Sequence, residues 1–142
     1  MMRFFATPRD AEVAFYEALE QIDIDAMMRI WAEDEEVICV HPQGGRSLGY
    51  TAVREAWQRA FAQGTRASVR ITDVVRRQGI LLATHSMHEH YAVAGEVVVG
   101  ETLARPPVIA THVYVHGAQG WHLLARHASS APAAAVDAAS LH

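Results

Sequence analysis

The sequence predicts an α+β fold in which three helices precede a strongly curved antiparallel sheet. In roughly the first 64 residues the apolar positions recur every three or four residues, which is the period of a helix. From Arg66 onward they alternate with polar positions, and short turns separate the segments, as is typical of consecutive antiparallel strands. A chain of 142 residues that is 51% apolar and 20% charged is long enough for one domain with its own core.

Each predicted helix has a recognisable start or end. Thr7 can cap the first helix and Pro8 suits its first position, whereas Asp23 can cap the second. Gly64 can end the third. The predicted helical spans are residues 7–22, 24–31 and 50–63.

Six strands are predicted. The first is a β-rich run that stops at Pro42, and the glycines of residues 43–46 then indicate a loop. The strand spans are residues 37–41, 67–76, 80–93, 96–103, 108–116 and 121–128. Three short helices on one face of a bent sheet leave a cone that encloses a cavity. Residues 1–130 are expected to form this single domain, and the Ala-rich residues 131–142 a weakly ordered tail.

Several short motifs follow one another at regular intervals between residues 7 and 130. They are Ala18-Leu19, Asp23-Ile24-Asp25-Ala26-Met27-Met28, Trp31-Ala32-Glu33-Asp34, Val40-His41-Pro42, Gly49, Ala52-Val53-Arg54, Trp57, Ala110-Thr111-His112-Val113, Gly120-Trp121 and His127-Ala128-Ser129. In order and spacing they resemble the nuclear-transport-factor-2-like (NTF2-like) superfamily, in its SnoaL-like and ketosteroid-isomerase-like group. The resemblance implies a cystatin-like α+β cone with a pocket between helices and sheet, usually in a dimer. It leaves the activity open, because this fold carries isomerases, cyclases, dehydratases, ring-hydroxylase small subunits and non-catalytic association domains.

Ketosteroid isomerase uses an Asp base, an oxyanion-binding Tyr and a protonated Asp. By the motif match these positions are His41, Phe15 and His112, and Tyr16 beside Phe15 is expected to face another way. None of the three groups is retained in kind, which argues against steroid isomerisation.

Histidines occupy both positions where ketosteroid isomerase has carboxyl groups. If this protein transfers protons, these histidines are therefore the candidate groups. His41, His112 and His127 lie on three strands at positions that the resemblance points into the pocket, and an ordinary histidine pKa near 6.5 suits proton transfer. We expect apolar surroundings to keep all three neutral at pH 7 by lowering their pKa values. As catalytic groups the sequence offers His41 for proton transfer and His112 for orienting a substrate. The expected ligand-binding residues are Phe15, Trp57, Phe61, Tyr114 and His127.

Three questions about neighbouring residues accompany this site. Cys39 and His41 share a strand face but lie about 6.6 Å apart along the strand, too far for an activated thiolate pair, so Cys39 is expected in the core. His85, His88 and His90 offer histidines for a metal, yet no tight ligand motif occurs, and we expect no metal and no cofactor. Which face of strand 80–93 meets the pocket stays open.

Composition excludes several functional classes. The formal net charge of −4 argues against a nucleic-acid module, and the absence of Lys excludes Schiff-base chemistry and a Walker lysine. The apolar stretch at residues 1–6 is too short for a signal peptide, no run reaches the ~18–20 apolar residues of a membrane span, and a single cysteine cannot form an internal disulfide, so we expect a cytoplasmic protein without membrane contact.

The sequence leaves two functions open. One is an enzyme of isomerase or lyase type acting on an apolar carbonyl-bearing small molecule, with His41 moving a proton. The other is a non-catalytic module that binds a ligand or mediates association. In either case we expect a homodimer through the sheet, because residues 96–99 and 108–115 are apolar on both faces of their strands.

Overall fold

Three helices pack on a curved six-stranded sheet in the computed structural model, which describes residues 2–93 and 106–131. The helices are α1 (Pro8–Gln21), α2 (Ile24–Met28) and α3 (Tyr50–Gln63). The strands are β1 (Ile38–Val40), β2 (Arg46–Leu48), β3 (Ala67–Gln78), β4 (Leu82–Val93), β5 (Val108–Gly117) and β6 (Gly120–Ser130). Their spatial order is β2-β1-β6-β5-β4-β3, which confirms the predicted α+β class.

The predicted helix boundaries are confirmed for α1 and α3 and corrected for α2. The Thr7 side chain accepts a hydrogen bond from the Asp10 amide at 3.0 Å, and Pro8 takes the first helical position. The second helix ends at Met28 instead of continuing to Trp31. Trp31 is extended and pairs with Leu123, so a contact with β6 replaces the helical turn that its spacing predicted.

The sheet departs from the prediction in three places. The sheet is not wholly antiparallel, because β1 runs parallel to β6, with Cys39 opposite Arg126, and no hairpin constrains two strands so far apart in sequence. Residues 46–48, expected in a loop or after it, form β2 beside β1. The fourth strand starts at Leu82 rather than at Ile80, because Ile80 lies in the hairpin turn.

Two predicted features fall on parts of the chain that the structure does not describe. The predicted strand at residues 96–103 lies outside the described residues, as does nearly all of the tail predicted at 131–142. Both stay predictions. The curvature of the rest is built into the strands, since β-bulges bend β3 between Thr72 and Val75 and the β5–β6 pair between Val113 and Tyr114.

The core lies between the helices and the concave face of the sheet. Its largest fully buried apolar side chains are Phe15, Met27, Met28, Ile30, Trp31, Met87, Tyr114 and Leu123. The inward face of β4 carries Ala83, His85, Met87 and Glu89, which settles the question that the sequence left open. Gly120 allows the N-terminal segment to lie against this layer, because a Cβ there would come within 2.4 Å of the Phe5 carbonyl oxygen.

Candidate functional site

An ion pair lies at the centre of the cone. The Arg126 guanidinium donates to both carboxylate oxygens of Glu89, over 2.7 and 2.9 Å, and both side chains are buried. Two phenols complete the carboxylate's hydrogen bonds, because Tyr16 donates to Oε2 at 2.5 Å and Tyr91 donates to Oε1 at 2.7 Å. The carboxylate therefore accepts four hydrogen bonds and has no free lone pair of good geometry for a substrate.

This arrangement fixes Glu89 as an anion. Burial acts to raise its pKa, but the Arg126 charge and the hydrogen bonds from Arg126, Tyr16 and Tyr91 lower the pKa to about 2. Burial and the neighbouring Glu89 carboxylate raise the pKa values of the Tyr16 and Tyr91 phenols, so both stay protonated. At neutral pH the cluster has one cation, one anion and two neutral donors, none of them a proton acceptor of ordinary strength.

His112 belongs to the same cluster. Its Nε2 lies 2.8 Å from the Arg126 guanidinium, and because arginine only donates, Nε2 is the acceptor. The proton is then on Nδ1, which donates to the Tyr114 hydroxyl at 2.8 Å. Burial, followed by the Arg126 charge, lowers the pKa of His112 to about 3. The imidazole is neutral, as the sequence predicts, but other protein groups already engage both of its nitrogens.

A second carboxylate lies between α1 and the sheet. Glu12 is buried and accepts two hydrogen bonds from Arg76, at 3.0 and 2.9 Å, and one from His85 Nδ1 at 2.8 Å. Burial acts to raise its pKa, but the hydrogen bonds from His85 and Arg76 and their charges lower the pKa to about 2. Glu12 thus orients the His85 ring, since an ionised carboxylate can only accept.

His41 stands apart from this interior cluster, at the end of β1. It is half-buried, and its ring packs edge-on against Trp57 with the ring centroids 4.8 Å apart. Burial, followed by the Arg126 and Arg59 charges, lowers the pKa of His41. The imidazole is therefore neutral at pH 7 and is the one candidate catalytic group that no charged partner occupies among the described residues.

The expected separation of Cys39 and His41 is wrong. Their side chains lean toward each other along the strand, so that Cys39 Sγ lies 3.5 Å from His41 Nε2. The chemical conclusion is unchanged, because burial raises the pKa of the Cys39 thiol to about 12 and the thiol stays protonated. Cys39 is fully buried, which confirms its place in the core.

The predicted set of three inward histidines does not assemble. Near the C-terminal end of β6, Arg126 and Ala128 are buried, and His127 between them is exposed on the outer face. A strand alternates its faces strictly, and the motif match placed the inward face one residue too far along. The expectation that His127 lines a pocket is therefore wrong.

A cleft of about 320 Å³ lies where the C-terminal ends of α1 and α3 meet the ends of β3 and β4. It is lined by Leu19, Ile22, Trp57, Ala60, Phe61, Gln63, Gly64, Thr65, Ala67, Val69, Tyr91 and Val93. Two predicted ligand-binding residues, Trp57 and Phe61, are among them. Phe15 and Tyr114 are not, because both are fully buried in the core, and their expected ligand contact is wrong.

None of the side chains that line the cleft is ionised at neutral pH. Tyr91 commits its hydroxyl hydrogen to Glu89. The indole nitrogen Nε1 of Trp57 is buried and has no hydrogen-bond partner among the described residues. Gln63 and Thr65 are exposed. The cleft therefore combines aromatic and apolar side chains with the exposed Gln63 and Thr65, and it has no charged group among its described lining residues.

Glu89, Arg126, Glu12 and Tyr16 were missed by the sequence analysis. Tyr16 was expected to face away, yet its ring is buried and its hydroxyl reaches the centre of the cluster. A signal was present, because Glu89 shares the alternating strand face of Ala83 and Met87. A carboxylate on a face that buries its other members requires a partner.

Neither a metal site nor a spanning helix is found in the described parts of the chain. No group of three or more His, Cys, Asp or Glu residues there is placed to hold a metal ion. None of the helices in those parts has the length and apolar character to cross a membrane. The expected absence of metal and cofactor stays a prediction.

Comparison with known proteins identifies a family and a sequence relative of this chain. Residues 9–134 match the family model of the SnoaL-like domain. An F-box protein of Arabidopsis thaliana, SKIP8, is 24% identical over 129 residues, which are 89% of this chain and 52% of that protein. The chain thus spans about half the length of the curated relative it matches.

Solved structures with a similar fold include members of the same superfamily. A protein from Thiobacillus denitrificans, described as a candidate calcium/calmodulin-dependent protein kinase type II association domain, is 33% identical with a TM-score of 0.81, covering 91% of this chain and 98% of its own. A candidate dehydratase of the NTF2-like family from Streptomyces avermitilis is 28% identical with a TM-score of 0.73, covering 87% and 92%. A candidate ketosteroid isomerase from Parabacteroides distasonis, 16% identical with a TM-score of 0.69 and covering 89% of each chain, shares the fold.

Proposed function

Because the chain belongs to the SnoaL-like family of the NTF2-like superfamily, we propose that it binds a small, uncharged and largely apolar molecule in the cleft without transforming it. One observation carries the proposal. The cleft has aromatic walls at Trp57, Phe61 and Tyr91 but no ionised lining side chain, while the interior Glu89 and His112 are held by other protein groups. Proton transfer needs a base within reach of the substrate, and this cleft has none among its described lining residues.

Occupying the cleft with a side chain tests this proposal. Ala60 lines the cleft and is exposed, so Ala60→Trp fills the space without disturbing the core. Ala62 is exposed on the same helix but does not line the cleft, so Ala62→Trp is the matched control. We expect naphthalene, measured by calorimetry, to bind the wild-type protein and Ala62→Trp equally and Ala60→Trp at least tenfold more weakly. Equal binding to all three proteins, or no binding to any, contradicts the proposal.

The isomerase or lyase alternative makes a different prediction about His41. An enzyme of that type removes a proton next to a carbonyl group, and it would accelerate deuterium exchange into 2-tetralone in heavy water. We expect the exchange rate followed by NMR to be the same with and without protein. Acceleration that His41→Gln abolishes would establish the enzyme in place of the binding protein.

We propose a second role, self-association, on a separate observation. The chain is 33% identical, over 91% of its length, to the Thiobacillus protein described as an association domain. The outward face of β5 is apolar, with Ile109 exposed and Val113 and Val115 half-buried in the single chain. We expect light scattering at micromolar concentration to give at least a dimer mass. Val113→Asp should reduce that mass, whereas Leu48→Asp, an exposed position on β2, should not; a monomeric wild-type protein would exclude this role.

A further inference from the structure

The turn between β3 and β4 is apolar and exposed. Ile80 and Leu81 occupy this turn and are 86% and 64% exposed, and a hydrogen bond from the Gly79 amide to the Leu82 carbonyl closes it at 2.7 Å. Turns of this kind ordinarily carry Gly, Asn, Asp or Ser, which water solvates better than two aliphatic side chains. Adjacent exposed apolar side chains at a protruding turn mark a surface that contacts something other than water.

The neighbouring strand β5 holds the turn in place. The Leu81 carbonyl oxygen accepts a hydrogen bond from the His116 amide at 2.8 Å, and the Ile80 carbonyl oxygen accepts one from His116 Nδ1 at 3.3 Å. The His116 ring stacks on Trp121, with the ring centroids 4.6 Å apart. Because the protein engages both carbonyl oxygens, moving the turn into an apolar phase costs less than it would for free carbonyl groups.

A third exposed apolar side chain lies at the same end of the sheet. Phe4 is 65% exposed, and its neighbour Phe5 pairs with Gly120 at the start of β6, beside the end of β5 that contacts the turn. The three most exposed large apolar side chains of the described residues are therefore at one end of the sheet. The cleft is at the other end, since it is lined by Ala67 at the start of β3 and Val93 at the end of β4.

The charge beside the turn is positive. Residues 74–88 contain two arginines, Arg76 and Arg77, and no acid. Arg77 is exposed and has no carboxylate partner among the described residues, while its guanidinium donates to the Arg76 carbonyl. The buried Glu12 contacts both Arg9, at 3.5 Å, and Arg76, at 2.9 Å. Three arginines thus share one carboxylate, which leaves an excess of two positive charges.

Other acids do not cancel this excess. Asp10, in the first turn of α1, supplies one exposed carboxylate against two uncompensated charges. The acidic run at residues 33–36 precedes β1, which β6 and β5 separate from β4 by about 14 Å at the usual strand spacing. That distance exceeds the Debye length of about 8 Å at physiological ionic strength. The turn therefore combines exposed aliphatic side chains with local positive charge, although the chain as a whole has a formal charge of −4.

We propose that this end of the sheet docks on an anionic lipid surface. The Ile80 and Leu81 side chains insert at the level of the headgroups, and Arg77 faces the acidic headgroups. A bilayer fits better than a protein partner, because two aliphatic side chains on a protruding turn supply a small part of the ~800 Å² per partner that a stable protein interface buries. Reversible anchoring to a membrane takes two signals, apolar insertion and basic charge, and the turn has both.

This proposal replaces the expectation that the chain makes no membrane contact. That expectation rested on the lack of an apolar run long enough to cross a bilayer, which docking on the surface does not require. The proposal is also independent of the cleft, which lies at the opposite end of the β3–β4 hairpin.

Co-sedimentation with lipid vesicles tests the proposal. We expect the wild-type protein to bind phosphatidylcholine vesicles that contain about 30% phosphatidylserine at least tenfold more strongly than vesicles of phosphatidylcholine alone, and to be released by about 1 M salt. Leu81→Asn should weaken binding at least tenfold, and a turn tolerates asparagine well. Leu48→Asn is the matched control, because Leu48 is 54% exposed on β2, and it should bind like the wild-type protein.

A charge variant separates the two signals. Arg77→Gln should weaken binding to the anionic vesicles about fivefold, the scale of one arginine beside an anionic surface, and should leave binding to neutral vesicles unchanged. Arg46→Gln, at an exposed position on β2, is the matched control and should have no effect.

Fluorescence reports the insertion itself. The added emission of Ile80→Trp should shift to shorter wavelength on anionic vesicles and be quenched by lipids with brominated acyl chains, whereas that of Leu48→Trp should not. The proposal is overturned if the wild-type protein binds no vesicles, or if Leu81→Asn binds them equally well. It is also overturned if Leu81→Asn lowers the light-scattering mass without vesicles, because the turn then contacts a second copy of the chain. Naphthalene binding should be unchanged in Leu81→Asn, so the binding function of the cleft stands or fails separately.

Discussion

The interior cluster and the cleft differ in how they hold polar groups, although Tyr91 belongs to both. In the interior, Glu89 accepts four hydrogen bonds and Arg126 donates three, two of which go to Glu89; both oxygens of the carboxylate are engaged, while Arg126 Nε has no partner among the described residues. In the cleft, the described lining residues include no ionised group, and aromatic and apolar side chains form the walls together with the exposed Gln63 and Thr65. A hydrogen-bonded buried network stabilises and specifies a fold, whereas an open cleft without charges can take up an uncharged molecule. This difference indicates that the interior cluster maintains the fold and that the cleft is the region available for binding.

Removing the interior cation should have the largest effect. Arg126→Met leaves the Glu89 carboxylate buried without its counter-charge, and the loss of one partner of a buried pair costs about 3–5 kcal/mol of unfolding free energy. Urea denaturation measures the loss. The double variant with Glu89→Gln should recover part of it, because no uncompensated charge then remains. If Arg126→Met alone is as stable as the wild-type protein, the ion pair does not hold the interior together.

The same region shows what the sequence reveals and what it does not. The boundaries of α1 follow from Thr7 and Pro8, because capping depends on residues that are neighbours in the chain. The Glu89–Arg126 pair joins positions 37 residues apart, and Tyr16 meets Glu89 across 73 residues. Such pairing depends on the register of the strands. Turns and bulges set that register, and apolar periodicity does not specify it. Trp57 and Phe61 were found because one helix face carries both toward the cleft.

Lowering the pH should test the neutral His112. Its pKa is about 3 in the folded protein and near 6.5 in the unfolded chain, so the unfolded chain takes up the proton first. The contribution of His112 to the unfolding free energy is therefore fully present above pH 6.5 and is lost as the pH drops toward 3, by about 3 kcal/mol between pH 6.5 and 4. His112→Gln keeps an acceptor for Arg126 and a donor for Tyr114 but cannot titrate, so its urea midpoint should vary less over this range. Equal pH profiles would show that His112 is not held neutral.

Replacing the second carboxylate should cost less than breaking the first pair. Glu12→Gln removes the charge that Arg76 and His85 share, but Arg76 is one-third exposed and can be solvated instead. We expect a loss of about 1.5–2 kcal/mol of unfolding free energy at pH 7, the lower end of the range for a hydrogen bond to a charged group. Because the pKa of Glu12 is about 2, below its usual value of 4.5, this contribution is present above pH 4.5 and disappears as the pH falls through that window. At pH 2 the variant and the wild-type protein should differ least.

The two phenols that donate to Glu89 offer the finest comparison, because they make the same bond from the two regions. Tyr16 is buried within the interior, whereas Tyr91 is half-buried and lines the cleft. Tyr16→Phe and Tyr91→Phe each leave the Arg126 bonds to Glu89 in place, so each should cost only about 1 kcal/mol in urea denaturation. Tyr16→Phe should be the more destabilising of the two, since water can approach the carboxylate from the cleft after Tyr91→Phe but not through the helix side. Equal losses of unfolding free energy in the two variants would show that water does not reach the Glu89 carboxylate from the cleft.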